Sequence, residues 1–212
     1  MSRRRTWVIV PAFFAIAFAA LGLSAYSGAS SSQGFAPLQP VDFPHPRHVQ
    51  ALGMNCLYCH YAANKSPDPG LPAVGTCMGC HSIILPQRPA MDGQPARRSA
   101  ALDSLLRYAP VGQPDKWKPI PWVRIHKVPE YVHFPHMRHV NAGVTCQTCH
   151  GPVQTMARVY QYSSLNMGWC IRCHVNGYKL SDGLRAAGVT PTPQDETVPP
   201  KKARYDCAVC HY

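Results

Sequence analysis

Five copies of the pattern Cys-x-x-Cys-His contain all ten cysteines of the chain. Two cysteines three residues apart lie on one face of a helical turn, where both thiols can form thioethers with the two vinyl groups of one porphyrin. The histidine that follows each pair can then bind the porphyrin iron. The pattern therefore predicts five covalently attached c-type haems. From the first motif to the fifth, the cysteines are Cys56 and Cys59, Cys77 and Cys80, Cys146 and Cys149, Cys170 and Cys173, and Cys207 and Cys210, and the histidines are His60, His81, His150, His174 and His211.

Two other uses of paired cysteines are disulfide bonding and zinc binding. An even number of cysteines in an exported chain fits a disulfide framework, and repeated Cys-x-x-Cys pairs can bind zinc. Neither use requires a histidine after every second cysteine. Because all five pairs have one, the haem interpretation is favoured.

Six histidines lie outside the motifs, and each could bind the second axial position of a haem iron. Four of them belong to a duplicated sequence, Phe-Pro-His-x-x-His, which supplies His45 and His48 in its first copy and His136 and His139 in its second. Proline suits the first position of a helix. Histidines three residues apart then project from nearly the same face, so one short helix can serve two neighbouring irons.

The fifth distal ligand is less clearly indicated by the residues alone. His126 and His133 are both candidates, since neither belongs to the duplicated sequence. Met167, three residues before Cys170, is an alternative sixth ligand for one haem, although methionines more often serve in packing.

The duplication predicts the organisation of the chain. We expect an anchor and linker in residues 1–34, a first dihaem repeat in 35–83, a linker in 84–124, and a second repeat with a third haem in 125–212. The 22 prolines among 212 residues disfavour long regular elements. The predicted fold is that of a multihaem cytochrome c, mostly irregular, with short α-helices around a haem core and one N-terminal transmembrane helix. Outside the haem motifs, the linker contains one predicted helix, over Ser99–Tyr108.

The N-terminal segment indicates a membrane anchor. Three arginines lie within the first five residues, and Trp7 to Leu23 carry no charge. Extended to Tyr26, a helix of this kind is about 30 Å long, which matches the hydrocarbon core of a bilayer. A signal peptide cleaved near Ser27-Gly28-Ala29 is the alternative. We favour an uncleaved single span, with the N-terminus cytoplasmic and the haem domain on the periplasmic side of a bacterial inner membrane.

Charge does not indicate nucleic-acid binding. The formal net charge is +11, but two propionates on each haem lower it to roughly +6 in the oxidised state. The chain has ten acidic residues, and their positions give no acid/base constellation of catalytic type. Because there are enough histidines to occupy both axial positions of every iron, the sequence favours electron transfer over catalysis.

The residues around the motifs carry a family resemblance. Besides the duplicated Phe-Pro-His-x-x-His, they comprise Gly75–His81, Trp122–Pro129, Cys146–Val153 and Asn166–Cys170. Over about residues 41–178 this combination resembles the pentahaem cytochrome c subunit of bacterial alternative complex III. In that family the histidine of Trp-x-x-x-His-x-x-Pro is a haem ligand, which implies that His126 is the fifth distal ligand and His133 is spare.

The resemblance also implies function and partners. Alternative complex III couples quinol oxidation in the membrane to reduction of a periplasmic acceptor. The implied partners are an iron-sulfur subunit, polytopic quinol-binding membrane subunits, and a monohaem cytochrome c or a cupredoxin as acceptor. The chain would then be an electron-transfer subunit and not an enzyme by itself. The alternatives are a freestanding membrane-anchored multihaem quinol dehydrogenase of the NapC/NirT/TorC type and a catalytic multihaem reductase, which needs an iron with an open coordination position.

Overall fold

The computed structural model describes residues 3–26, 32–90, 93–192 and 202–211. Within these ranges the α-helices are α1 (Arg3–Tyr26), α2 (Cys56–Cys59), α3 (Val74–His81), α4 (Ala100–Tyr108), α5 (His136–Asn141), α6 (Cys146–His150), α7 (Met167–Asn176), α8 (Asp182–Ala186) and α9 (Cys207–Cys210). A π-helical turn covers Pro46–Ala51, and 3-10 turns cover Pro114–Lys116 and Val153–Thr155. Strands β1 (Gln87–Arg88) and β2 (Arg97–Arg98) form an antiparallel hairpin, with Arg88 opposite Arg97.

Short helices in otherwise irregular chain dominate the structure beyond α1. The longest of them in the described part of the chain, α7, has 10 residues. This confirms the predicted mostly irregular fold with short helices. Frequent prolines account for it, because a proline lacks the backbone N–H that continues a helix.

Helix α1 forms where the sequence predicts the N-terminal anchor. It is 24 residues long and contains Pro11. Phe13, Phe14, Ile16 and Phe18 are exposed on it. Within the part of the chain that the structure describes, no helix is both long enough and apolar enough to cross a membrane.

The larger apolar cluster joins α3 to α4. Its buried members are Val41, Val74, Met78, Leu105, Ala109 and Ile120. Helix α4 begins after Ser99, whose hydroxyl accepts a hydrogen bond from the Leu102 N–H, so the predicted helix over Ser99–Tyr108 is confirmed. Residues of the 84–124 segment thus pack directly against the helix that carries the second motif.

A substitution in this cluster should be costly. Leu105 is 4% exposed, and replacing a buried leucine by alanine removes apolar contacts and leaves a cavity. We expect Leu105→Ala to lower the free energy of unfolding by about 2–5 kcal/mol. Leu71 is 62% exposed, so Leu71→Ala should change it by less than about 0.5 kcal/mol. Denaturant unfolding of both variants checks this, and equal losses would contradict the assignment of Leu105 to the core.

A second cluster lies in a region that the sequence does not mark. Leu180, Leu184 and Val189 are buried, and Tyr162 packs against them. The hydroxyl of Ser181 accepts a hydrogen bond from the Leu184 N–H and caps α8. The segment after the fourth motif therefore adds a small polypeptide core of its own.

The two repeats contact each other reciprocally. Helix α5 of the second repeat packs on the loop after the first motif: the His136 N–H donates to the Pro67 carbonyl at 3.1 Å, and the Asn141 amide donates to the Asn64 carbonyl at 3.1 Å. Conversely, the turn Pro46–Ala51 of the first repeat packs against Val153–Thr155, which follows the third motif. Each repeat therefore covers part of the chain that follows the first motif of the other.

Candidate haem-binding site

Each Cys-x-x-Cys pair lies on a helical turn. The pairs occupy α2, the end of α3, α6, the middle of α7 and α9. The Asn55 side chain accepts a hydrogen bond from the Leu57 N–H at 2.8 Å, and the Asn166 side chain accepts one from the Trp169 N–H at 2.8 Å. These caps fix the start of α2 and α7. The turn brings both sulfurs of a motif to one face, as thioether attachment requires.

The ten cysteines, all of which lie within the described residues, form no disulfide bonds with one another. Among the described residues, no three or more histidine, cysteine or carboxylate side chains converge on a position for a bare metal ion.

The two copies of Phe-Pro-His-x-x-His fold alike. The Phe43 ring meets His45 edge-on at 4.8 Å between centroids and stacks on His48 at 4.4 Å. The Phe134 ring meets His136 and His139 at the same distances, 4.8 and 4.4 Å. The phenylalanine therefore separates the two imidazoles of each copy and holds their directions.

Three histidines of these copies lie opposite a motif histidine at a distance that suits two axial ligands on one iron. With metal–nitrogen bonds of about 2.0 Å and ring centres about 1.1 Å beyond the nitrogens, trans imidazole centroids are about 6 Å apart. The measured centroid distances are 6.1 Å for His48–His81, 6.1 Å for His139–His174 and 6.5 Å for His136–His150.

These pairs follow one rule. In the second repeat, His136, the first histidine of the copy, pairs with His150 of the third motif. His139, the second histidine, pairs with His174 of the fourth motif. In the first repeat, the His48 ring pairs with that of His81 in the second motif, and His60 of the first motif contributes to the lowered pKa of His45. Burial, followed by His60 and His48, lowers the pKa of His45 to about 4. A neutral imidazole is the form that binds iron.

Backbone carbonyls orient most of these imidazoles. The Nδ1 atom of His48 lies 3.1 Å from the Pro44 carbonyl, and that of His139 lies 3.2 Å from the Pro135 carbonyl. The Nδ1 atoms of His81, His136 and His174 likewise face the carbonyls of Ile84, Pro67 and Arg204. Because a carbonyl only accepts, Nδ1 carries the proton and Nε2 is left with the lone pair that binds a metal. Sequence reasoning did not identify these carbonyls, although the proline before each first histidine marks two of them.

His126 lies at the third motif. Its Nδ1 atom is 3.3 Å from that of His150, and the ring centroids are 4.2 Å apart, which is shorter than the spacing of two axial ligands. Its Nε2 atom is buried without a hydrogen-bond partner among the described residues. Burial and His136 lower the pKa of His126 to about 4, and burial followed by His126, His136 and His60 lowers the pKa of His150 to about 3.

The fifth motif is held by the segment just before the second copy of Phe-Pro-His-x-x-His. The Tyr131 ring stacks on His211 at 5.7 Å, Val132 forms a β-bridge with His211, and the His133 N–H donates to the Cys210 carbonyl at 2.7 Å. The structure thus places the backbone of His133 beside the fifth motif. Tyr131 was not recognised in the sequence, where no local pattern connects it to a motif 80 residues away.

The motifs lie in a spatial order that differs from their order in the chain. A contact between the Cys56 and Cys146 thiols lowers the pKa of Cys56 to about 6 and raises that of Cys146, so the first and third motifs adjoin. Cys59 lies near Cys80, Cys149 near Cys173, and Cys170 near Cys210. The backbone of Ala203, close to the fifth motif, also hydrogen-bonds to His174. These contacts link the second motif to the first, the first to the third, the third to the fourth, and the fourth to the fifth.

The residues present fit covalently bound porphyrins. The paired cysteines lie on helical turns, most of the imidazoles are oriented by carbonyls, and the Nε2 atom of His126 is buried without a hydrogen-bond partner among the described residues.

One glycine beside the third motif has a strict requirement. Gly151 has φ +74°, and a Cβ there would lie 2.5 Å from the Tyr162 ring. We expect Gly151→Ala to cost about 2–4 kcal/mol, from backbone strain and the clash. Gly112 has φ +73° and open space around it, so Gly112→Ala should lose only the stability that corresponds to backbone strain. Thermal unfolding followed by circular dichroism compares them, and equal shifts would show that the Tyr162 contact is unimportant.

Two comparisons with known proteins agree with this site. Residues 132–212, which contain the last three motifs, match the family of cytochrome c7 and related cytochrome c. Over 158 residues, the chain is 28% identical to the multiheme cytochrome c subunit of menaquinone reductase from Nitratidesulfovibrio vulgaris. That alignment covers 65% of this chain and 68% of the relative. The chain is thus similar to cytochrome c7 and related cytochrome c over its last three motifs, and to a multiheme cytochrome c subunit over 158 residues.

Proposed function

We propose that this chain is a pentahaem electron-transfer subunit of a membrane complex of the alternative complex III type, which carries electrons from quinol oxidation to a periplasmic cytochrome c or cupredoxin. The observation that supports the proposal is that three motif histidines have a second histidine at axial-ligand spacing, while thiols of different motifs neighbour one another. Haems held at neighbouring motifs would serve electron transfer over a distance better than chemistry at one centre. A bound haem c supplies one-electron redox chemistry at its iron.

The side chains would divide the work as follows. The ten motif cysteines would hold the porphyrins, and His60, His81, His150, His174 and His211 would bind the irons from the motifs. His45, His48, His136 and His139 would supply second ligands, with His126 as the fifth candidate. The carbonyls that face Nδ1 of His48, His81, His136, His139 and His174 would leave the Nε2 atoms of these residues free to bind iron.

The membrane part of the proposal rests on the N-terminal sequence and on the relative. Trp7 to Leu23 carry no charge and follow three arginines, and we propose that residues 1–34 anchor the haem domain on the periplasmic side. The relative is named as a subunit of a menaquinone reductase, which supports a place in a quinone-linked complex. The implied neighbours are an iron-sulfur subunit and polytopic quinol-binding subunits.

The name of the relative also favours a second candidate, in which the complex passes electrons in the opposite direction, to a quinone. The haem domain could serve either direction, since a row of redox centres has no inherent polarity. The potentials of the partners on each side would decide it.

Purification in mild detergent tests the proposal. We expect five haems per chain by mass spectrometry, low-spin spectra for the oxidised protein, co-purification with iron-sulfur and polytopic subunits, and oxidation of a quinol analogue by the complex only. Reduction of a quinone by the complex, without quinol oxidation, would select the second candidate. An isolated chain that oxidises the quinol would instead be a freestanding dehydrogenase, and a high-spin signal that shifts with nitrite would indicate a reductase.

A further inference from the structure

One end of the row of motifs has an unusual exposed surface. The second motif is terminal in the spatial order, and the chain leaves it directly into Ile83, Ile84 and Leu85. These side chains are 83%, 57% and 48% exposed. Three consecutive large apolar residues in solvent indicate an interaction site more than isolated ones do.

A basic hairpin follows this apolar segment. Strands β1 and β2 place Arg88 directly opposite Arg97, and like charges facing each other across an antiparallel pair are destabilising. Arg98 is neutralised by Asp103, with nitrogen–oxygen distances of 2.7 and 2.8 Å. Within the described residues, the Arg97 guanidinium donates a hydrogen bond at 3.3 Å to the neutral side-chain oxygen of Gln94, and no carboxylate pairs with it. The facing arginines thus keep a repulsion that an anionic partner would relieve.

The apolar segment is connected to the haem ligand of the second motif. The Nδ1 atom of His81 lies 3.2 Å from the Ile84 carbonyl, so the backbone that presents Ile84 to solvent also orients the ligand. Cys80 of the same motif is exposed. A protein bound here would lie against the edge of the terminal haem site.

We infer that Ile83, Ile84, Leu85, Arg88 and Arg97, here called the hairpin face, form the docking surface for a soluble redox protein with an apolar centre and an acidic rim. Arg88 and Arg97 would attract acidic side chains at the rim of the partner, and Ile83, Ile84 and Leu85 would pack against an apolar patch at its centre. A lipid surface with anionic head groups would match the charges, but it would make no use of a terminal redox site. The inference rests on the proposed electron-transfer function.

Binding of an acidic cupredoxin to the haem-loaded, full-length protein in detergent provides the test. Calorimetry is done at about 10 mM and about 150 mM ionic strength, where the Debye length is about 30 and 8 Å. We expect Arg88→Glu/Arg97→Glu to weaken binding about tenfold or more at low salt. Arg158→Glu/Lys179→Glu changes the charge equally at exposed positions outside the hairpin face and should have less than about a twofold effect. Ile83→Ser/Ile84→Ser should weaken binding at both ionic strengths.

A second readout follows the site itself. Cupredoxin binding should shift the electron paramagnetic resonance of the haem bound to His81 in the wild type and not in Arg88→Glu/Arg97→Glu. Equal weakening by both charge-reversal pairs, or no weakening by the hairpin pair, would overturn the inference. If Arg88→Glu/Arg97→Glu loses binding to vesicles that contain anionic lipid and keeps its cupredoxin binding, the hairpin face binds a membrane and the inference is wrong. Haem content and spectra are checked first, so that failure of the proposed function is seen before any binding result.

Discussion

Replacing Cys146 and Cys149 by alanine is expected to remove one haem and to destabilise the protein by more than about 4 kcal/mol, the range of mutations that remove a metal or a covalent link. The third motif lies where the repeats meet. Cys146 contacts Cys56 of the other repeat, and His150 contacts both His126 and His136. A porphyrin missing at this junction would expose surfaces of both halves to water.

Cys207→Ala/Cys210→Ala is the matched control for this prediction. It also removes one haem, but from the end of the row, where Cys207 is exposed. We expect less than half the loss of stability. Mass spectrometry counts the haems, and thermal unfolding followed by circular dichroism measures the stability. If both double variants unfold at the same temperature, the junction does not depend on the third motif.

His139→Ala is expected to convert one haem from low spin to high spin, or about one fifth of the total if all five are bound. The His139 ring is 6.1 Å from that of His174, and its Nδ1 atom is held by the Pro135 carbonyl. Alanine leaves that axial position to water or to no ligand. Magnetic circular dichroism of the oxidised protein measures the high-spin fraction, and added imidazole should reverse the change.

His133→Ala is the control for His139→Ala. His133 is the spare histidine of the sequence analysis. Its backbone N–H donates to the Cys210 carbonyl beside the fifth motif, and alanine keeps this hydrogen bond. The spin state should therefore not change. A high-spin signal in His133→Ala, or none in His139→Ala, would require the distal ligands to be reassigned.

Much of the local structure follows from short-range sequence patterns. The i, i+3 spacing places each cysteine pair on a helical turn, Ser99 and Asn166 are recognisable caps, and the duplicated Phe-Pro-His-x-x-His predicts two histidines on one short helical segment. In each case, all the interacting residues lie within one or two turns. Sterics and local hydrogen bonds then determine the geometry with little help from the rest of the chain.

What the sequence could not predict depends on long-range packing. Nothing near Cys56 indicates that it contacts Cys146, and nothing near Tyr131 indicates His211. The position of His126 beside His150 is of the same kind. Helix α8 was missed because Leu180, Leu184 and Val189 are spread through a polar segment and form a core only with Tyr162. The spatial order of the motifs is therefore a property of the tertiary structure.

The reciprocal contacts between the repeats bear on how the protein is made. During synthesis, the first two motifs emerge before α5, which covers the loop after the first motif. The N-terminal half therefore lacks part of its packing surface until the C-terminal half arrives. Contacts between residues this far apart in sequence make folding slow, so the proposed haem attachment would have time to reach each unfolded motif.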